Sequence, residues 1–545
     1  MTLVLKYSFF IILSIIITAC NDSDNNSSTD MKIQTVIGDY VIGITLIGEP
    51  TVIVYLGNEY EELGAFAIDD DGNELSYDIE GEVDTQILGI YELTYVLTDS
   101  QNNQMKIKRT VRVLPDAFTT IWKTDNEGVS ENNQIRLEVN SDFSYDYTVD
   151  WGDGLSDNNV LGEITHTYEL AGSYLISITG VYPQIFFYNV DSLTSDSKKL
   201  ISVENWGTNT WLSMAHAFYG CENMQLNTSD KPDLSSVKDM SNMFYASGSF
   251  NQDINDWDVS SVTNMEKMFA YATTFNQDLS NWDVSLVKDM SRMFYSADSF
   301  NQDIGVWDVS SLTNMDRMFS YALTFNKDLS AWQTSSVTDM FELFRVASDF
   351  NQNISTWDVS SVTNMSGMFI SAPNFNQELN DWNVSSVTDM SYMFAGAIVF
   401  NKPLNNWNVS SVVNMNAMFN VSRDFNQDIS NWDVSSVIKM GGNGTYDTGM
   451  FEGATNFDQD VSLWNISNVL EMDGMFKNIQ LSTINYDALL TSWSNQIPQE
   501  NVMFDGGNSQ YTKGSLAETA RTYLTDSLGW IITDGGAAVV EVQAD

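Results

Sequence analysis

Cysteine is almost absent from this 545-residue chain, where Cys20 and Cys221 are the only two. Cys20 ends an N-terminal secretory-type segment, so the mature chain has no material for a disulfide framework. Histidine is as scarce. His166 and His216 lie far apart, which leaves nothing for a metal site of clustered His and Cys. Cations are few as well: 24 Lys and Arg stand against 73 Asp and Glu, a net charge of −49. That balance excludes nucleic acid held through its phosphates and argues against docking on an anionic membrane surface. Its ordinary consequence is solubility. The one long apolar run, Phe9 to Ile17, is too short to cross a bilayer, and no stop-transfer charges follow it. No nucleophile motif, metal-ligand cluster or phosphate loop stands out. The expectation is a protein without catalysis or cofactors, although carboxylates of the kind glycosidases use are abundant.

What is present is a repeat. Phe250, Phe275, Phe300, Phe325, Phe350, Phe375 and Phe400 each open a unit of 25 residues, with no residue gained or lost between positions 250 and 424. A fixed period of this size predicts a solenoid, in which no unit can bury its apolar side alone and neighbours stack to share a core. Within a unit, Trp257 and Val259 are spaced by two, which predicts a short strand with both side chains facing inward. Val262, Met265, Met268, Phe269 and Ala272 follow at spacings of three and four, which predicts a helix of about three turns with Ser260 or Ser261 at its N-cap. The fold class expected is multidomain: two small β-sandwich domains followed by an α/β leucine-rich-repeat-like solenoid with parallel strands.

The motif WDVSSVTNMxxMF carries a resemblance. From about Leu200 to Met475 the units resemble the Met- and Trp-rich, 26-residue-type relatives of BspA-like leucine-rich repeats in bacterial surface lipoproteins. The resemblance implies surface display and adhesion or partner binding, not catalysis. Residues 1–20 read as a signal peptide whose Ile17, Thr18, Ala19 and Cys20 resemble the lipobox. That likeness implies cleavage before Cys20 and its lipidation, and two or more acyl chains anchor stably where one would not. The polar, acidic stretch 21–31 reads as a flexible tether. It also resembles the export signal of Bacteroidetes-type surface lipoproteins, which points to a lipid-anchored position in the cell envelope, on the outer membrane facing the exterior.

Residues 32–114 contain short strand-like runs between Gly, Asp and Asn turns and resemble bacterial Ig-like spacer domains. Asp69, Asp70, Asp71 and Asn73 could supply oxygen ligands for calcium, but they lack EF-hand spacing and read better as a turn. Residues 116–192, with TVDWGDG and HTYELAGSYLISITG, resemble PKD-type sandwiches, and Asp150, Asp153 and His166 read as turn and strand-pairing chemistry. The array is placed at 193–481, starting from a degenerate unit in which Cys221 is a small buried thiol. Seven extra residues around 441–447 should bulge as a loop. Residues 482–545 should form a C-terminal cap of helices (NYDALLTSWSNQ, SLAETARTYLTDSLG) and strands (NVMFDGG, WIITDGG).

Three sets of repeated residues invite a functional reading. Met pairs such as Met265 and Met268 have helical spacing and read as core. The asparagines after each opening Phe read as a ladder that satisfies backbone groups at the turns. Asp258, Asp283, Asp308, Asp358 and Asp433 lie between the inward Trp and Val, where no core demand fixes them, and would form a column with strands ~4.8 Å apart. They are the candidate ligand-binding residues, with turn stabilisation as the competing role. The expected partner is an extracellular or host-surface protein, or a glycan, and a purely structural spacer is the remaining alternative.

Overall fold

The computed structural model describes residues 32–538 apart from 38–39, 70–72, 99–101, 115, 188–194, 229 and 443–447. Across these residues the chain is mostly β with few helices, and no helix among them is long and apolar enough to cross a membrane. Two compact units form. One holds the residues up to Thr119 with the short segments Asn205–Thr208 and Thr228–Asp230, and the other holds the rest.

In the first unit the alternation of apolar and polar residues gives two sheets. One has the order β1 (Lys32–Ile37), β2 (Tyr40–Leu46), β4 (Ala65–Ile68). The other has the order β3 (Thr51–Tyr55), β7 (Gln104–Leu114), β6 (Gly89–Thr98), β5 (Asp78–Glu80). Met105, Ile107, Val111 and Val113 take every second position of β7 and enter the core. Arg109 falls on the same inward face, where an unpaired cation would be costly. Its Nε lies 3.1 Å from Glu62 Oε1, and its guanidinium donates to the carbonyls of Ile47 at 2.6 Å and Gly64 at 3.1 Å. Burial pushes the Glu62 carboxyl up, but hydrogen bonds from Tyr60, Tyr95 and the Gly64 N–H, with the Arg109 charge, outweigh it and hold the group below its ordinary value.

The second unit begins with a six-stranded sheet of order β11-β10-β13-β8-β14-β15 and a two-stranded one, β12-β9. The strands are β8 (Phe118–Lys123), β9 (Gln134–Leu137), β10 (Asp146–Asp150), β11 (Ser156–Val160), β12 (Ile164–Thr167), β13 (Ser173–Val181), β14 (Leu200–Asn205) and β15 (Gln225–Leu226). Asp150 accepts the Gly152 N–H at 2.9 Å, Asp153 lies 2.8 Å from His166 Nε2, and His166 stacks on Trp151 at 4.7 Å. All three residues thus serve the turn and the packing beside it.

The repeats that follow depart from the expected backbone. Trp-Asp-Val is not a strand, and the Met-rich segment is not a helix but a run of tight turns. Alternate N–H groups of that segment reach the next unit: Met265 donates to Asp289 O at 2.9 Å, Lys267 to Ser291 O at 2.8 Å, Phe269 to Met293 O at 2.9 Å and Tyr271 to Tyr295 O at 2.7 Å. The N–H groups between them fold back three residues, as in Met268 to Met265 O at 3.2 Å and Ala270 to Lys267 O at 3.1 Å. A helix would have spent every N–H inside its own segment. Here half of them bind one unit to the next, and every fourth residue takes the left-handed conformation, such as Lys267 (φ 56°) and Tyr271 (φ 61°). Ser260 and Ser261 therefore cap no helix. Parallel pairing does occur, but as single bridges before each Met, running Asp239, Asn264, Asp289, Asn314, Asp339.

The core columns lie where the apolar pattern puts them. Phe275 and Phe300 stack at 6.1 Å, Phe294 and Phe319 at 5.7 Å, and Trp282 and Trp307 at 6.5 Å. Each of these tryptophans is wholly or nearly buried and donates its Nε1–H to the preceding unit, Trp307 to Leu279 O at 3.0 Å. The asparagines form a ladder, with Asn276 Oδ1 accepting the Asn301 N–H and Asn301 Oδ1 the Asn326 N–H at 2.9 and 3.0 Å. Half-buried amides that would otherwise be unpaired are satisfied in this way. The first unit already follows the pattern: Phe218 donates to Met243 O at 2.8 Å and stacks on Phe244, and Cys221 is fully buried.

At the far end, Phe476 meets Phe504 of β16 (Met503–Asp505) edge to face at 6.1 Å. Helices α1 (Thr483–Ser494) and α2 (Leu516–Asp526) pack here. The β16 strand pairs in parallel with β18 (Ile531–Thr533), as β17 (Tyr511–Thr512) does with β19 (Ala537–Ala538). These are the helices and strands expected of the cap.

Candidate functional site

The five aspartates expected to bind ligand are exposed in every case. Each accepts the N–H of the serine two residues on: Asp258 at 3.1 Å, Asp283, Asp308 and Asp358 at 3.0 Å, and Asp433 at 3.1 Å. One carboxylate oxygen is thereby engaged in a local turn, and no contact joins one aspartate of the series to the next. The serine hydroxyl, and then the serine N–H, hold Asp258, Asp308, Asp358 and Asp433 below the ordinary carboxylate range. A depressed folded-state value adds stability that is complete above the unfolded value of about 3.9 and is lost as pH falls through the folded one. A variant with all four changed to Asn keeps an acceptor that does not titrate. Its melting temperature should fall less steeply than that of the wild type between pH 4 and pH 2, and parallel curves would refute the role.

Cys20 lies outside the described residues, as do 443–447 of the insertion and Asp70 and Asp71 of the acidic turn. Of the neighbours of that turn, Asn73 donates from N and Nδ2 to Asp69 at 2.7 and 3.0 Å. Beside the insertion, Met450 donates to Met440 O at 2.8 Å, and Phe451 rejoins the column against Phe419 at 5.6 Å. Among the described residues no group of three or more His, Cys, Asp or Glu could hold a metal ion.

A different site comes from positions that carry no core residue. In five successive units a tyrosine follows the buried Phe by one or two places, and the rings of Tyr219, Tyr245, Tyr271, Tyr295 and Tyr321 lie 4.6, 5.3, 5.3 and 5.7 Å apart in sequence. The first pair is nearly parallel, and later pairs are tilted by 60° to 67°. Tyr271 is 42% exposed. Alongside run Lys267, Arg292 and Arg317, each two residues after a core Met, and then Glu342 and Arg345. All of these except Tyr219 line a groove of about 410 Å³, within the range of small-ligand sites.

Carboxylates hold the guanidinium groups in place. Arg317 Nε and Arg345 Nη1 each lie 2.7 Å from Glu342, and Arg292 lies 3.1 Å and Arg317 3.4 Å from Asp316. Arg317 sits over the Phe341 ring at 4.3 Å and Arg345 over Tyr321 at 5.5 Å. Burial pulls Arg345 down, but the Glu342 charge and hydrogen bonds to Glu342 and Tyr321 carry it above its ordinary value. Burial likewise pushes the Asp316 carboxyl up against the pull of Arg292 and Arg317. Each guanidinium has five donors in a planar fork, so these pairs leave donors for a ligand. The arrangement can stack a ring face and donate to oxygens at the same point. It offers no nucleophile paired with a base.

Residues 44–113 match the bacterial surface protein Ig-like domain family. Five overlapping stretches, 212–332, 278–374, 299–403, 349–447 and 399–513, match the family described as Mycoplasma protein of unknown function, DUF285. No curated protein matches the chain. Among solved structures, the crystal structure of the lipoprotein BT2262 from Bacteroides thetaiotaomicron is similar at 16% identity, covering 29% of this chain and 68% of that one. Its TM-score of 0.14 supports no argument about fold. The five stretches together span residues 212–513, more than half of the chain, and the protein therefore belongs to the family described as Mycoplasma protein of unknown function, DUF285, with a bacterial surface Ig-like domain ahead of its repeats.

Proposed function

We propose that this is a non-enzymatic recognition protein of the bacterial surface, whose repeats form a solenoid that binds an extracellular protein or glycan. The observation that carries the reading is the groove of tyrosines and paired guanidinium groups, built from positions that the stacking of units leaves free. The Ig-like family of residues 44–113 supports display at the cell surface. In the same reading residues 116–192 are a PKD-like second spacer. Lipid on Cys20, after removal of residues 1–20, anchors the chain to the outer face of the outer membrane, and nucleic acid is not a partner.

Two measurements test this. Cys20→Ser should abolish lipid labelling and release the protein from membranes, and a soluble, unlabelled wild type would remove the anchor. Cells displaying the full-length protein should retain members of a panel of extracellular proteins and glycans that cells lacking it do not. Retention of nothing, or turnover of a panel member, would overturn the recognition reading.

A further inference from the structure

We propose that the groove binds an acidic polysaccharide, a chain of pyranoses bearing carboxylates or sulfates, laid along the repeat so that successive sugars meet successive units. This rests on the recognition reading above and names its ligand. Three observations carry it.

The first is the aromatic ladder. Within the groove its rings recur one per unit, from Tyr245 to Tyr321, at separations of 5.3 to 5.7 Å, so the backbone imposes a period on the binding surface. Tyr245 and Tyr295 follow their Phe by one place, Tyr271 and Tyr321 by two. This alternation sets successive rings at 60° to 67° to each other. A sugar polymer is the partner with a matching repeat of ring faces, and β-linked pyranoses turn opposite faces at alternate residues. Tyrosine rings stack on such C–H faces while their hydroxyls remain available.

The second is charge. In a chain of net charge −49, the groove gathers Lys267, Arg292, Arg317 and Arg345, four cations against the three carboxylates paired with them, Glu266, Asp316 and Glu342. Guanidinium forks match the planar oxygens of carboxylates and sulfates, and Glu342 and Asp316 orient them while offering acceptors to sugar hydroxyls. An acidic peptide would need pockets for its side chains, but the lining has one aliphatic residue, Ala270.

The third is the backbone. Lys267, Arg292 and Arg317 hold φ of 56°, 55° and 53°, a left-handed conformation that costs a residue with a Cβ about 1 to 2 kcal/mol. At the same place in other units stand Asn242 (φ 57°), Glu342 (φ 50°), Tyr392 (φ 58°) and Ala417 (φ 55°), as well as Gly367 (φ 66°) and Gly474 (φ 72°), so the stacking itself imposes the conformation and glycine adopts it freely. The stacking does not need long cations there. Three consecutive units nevertheless carry them, and because the left-handed backbone is common to the series, it is these side chains and not the conformation that set the three units apart.

The same strain provides the test, because glycine at these places should leave the fold intact. Full-length protein purified in detergent is presented to polymannuronate, chondroitin sulfate, dextran and poly-L-glutamate. The expected result is binding to an acidic polysaccharide at least tenfold over dextran and poly-L-glutamate, weakening as salt rises. Lys267→Gly, Arg292→Gly and Arg317→Gly together should reduce it at least tenfold while the circular dichroism spectrum stays that of the folded wild type. Tyr271→Ser with Tyr295→Ser should reduce it with the charges intact. Equal binding to dextran or to poly-L-glutamate would overturn the proposal, and so would a triple variant that binds as the wild type does. If the protein binds an extracellular protein and the groove variants leave that unchanged, the ligand assignment fails and the recognition reading stands. If it binds nothing on any surface, both fail.

Discussion

Phe344→Ala is expected to destabilise the array by about 3 to 5 kcal/mol, the upper range for a large-to-small change in a core. The ring is fully buried, with Phe319 at 5.6 Å, Phe369 at 5.8 Å, Phe350 at 3.8 Å and Trp357 at 6.2 Å. A cavity costs least where its walls can collapse, and these walls cannot. Phe344 N donates to Met368 O at 2.8 Å, and Phe319 N donates to Leu343 O at 3.0 Å, so backbone bonds fix the spacing of the units around it. Because each unit's stability depends on its neighbours, the damage should spread by nearest neighbours. Denaturant unfolding measures the loss, and hydrogen exchange should show protection falling in the units on either side of Phe344 before distant ones. Phe344→Leu, which refills most of the space, should cost less than half as much. A loss below about 1 kcal/mol, or a uniform loss of protection, would contradict this account.

Lys199→Met is expected to cost about 3 to 5 kcal/mol, the range for removing one partner of a buried ion pair. Both Lys199 and Asp196 are fully buried and lie 3.8 Å apart. The ammonium does more than balance Asp196: it donates to Ser130 Oγ at 2.7 Å and to the carbonyls of Glu131 at 2.9 Å and of Ser130 and Gln134 at 3.0 Å. Asp196 accepts from Ser130 N at 3.0 Å, Ser130 Oγ at 2.5 Å and Arg136 N at 2.8 Å. The pair thus ties the loop around 130–136 to the start of β14, and Gly128 leaves it room, since a Cβ there would lie 2.4 Å from Asp196 Oδ1. Methionine fills similar space but strands a carboxylate and several carbonyls. Adding Asp196→Asn should recover at least about 1 kcal/mol, as expected for residues in direct contact. Simple additivity would show that the two act separately. Burial draws the Lys199 ammonium below its ordinary value, so its titration raises stability as pH climbs from the folded-state value towards the ordinary one.

Much of the architecture could be read from single residues. Inward positions such as Trp282, Met293 and Phe300 are legible because burial is a property of each side chain, and the 25-residue period projects it onto a column. The asparagine ladder was legible for a related reason, since a polar residue fixed beside every opening Phe must answer a repeated backbone need. The path of the Met-rich segment was misread because apolar spacings of three and four fit a helix and a series of tight turns equally well. A local signal for the turns existed. Gly220, Gly396 and Gly453 stand two places after a Phe, and Gly367 and Gly474 two places after a Met, all at positive φ. Glycine recurring inside an apparent helix marks left-handed backbone.

The groove was not legible, because its residues are one to three per unit across the stretch from Tyr245 to Arg345 and form no motif in any window. In sequence, Lys267, Arg292 and Arg317 are three cations in an acidic chain. Which of the two turn positions each side chain leaves from, and so which neighbours it meets in the next unit, depends on backbone hydrogen bonds between residues 24 apart, such as Lys267 to Ser291. By itself the sequence determined the period, the core columns and the helices and strands after residue 482, because those follow from what each residue prefers to touch. Only the tertiary structure decided that the units are turns and not helices, and that their spare positions align into a cationic, aromatic groove. Both depend on how N–H groups are shared between units, and a sequence pattern records which residues are apolar but not where the backbone sends its hydrogen bonds.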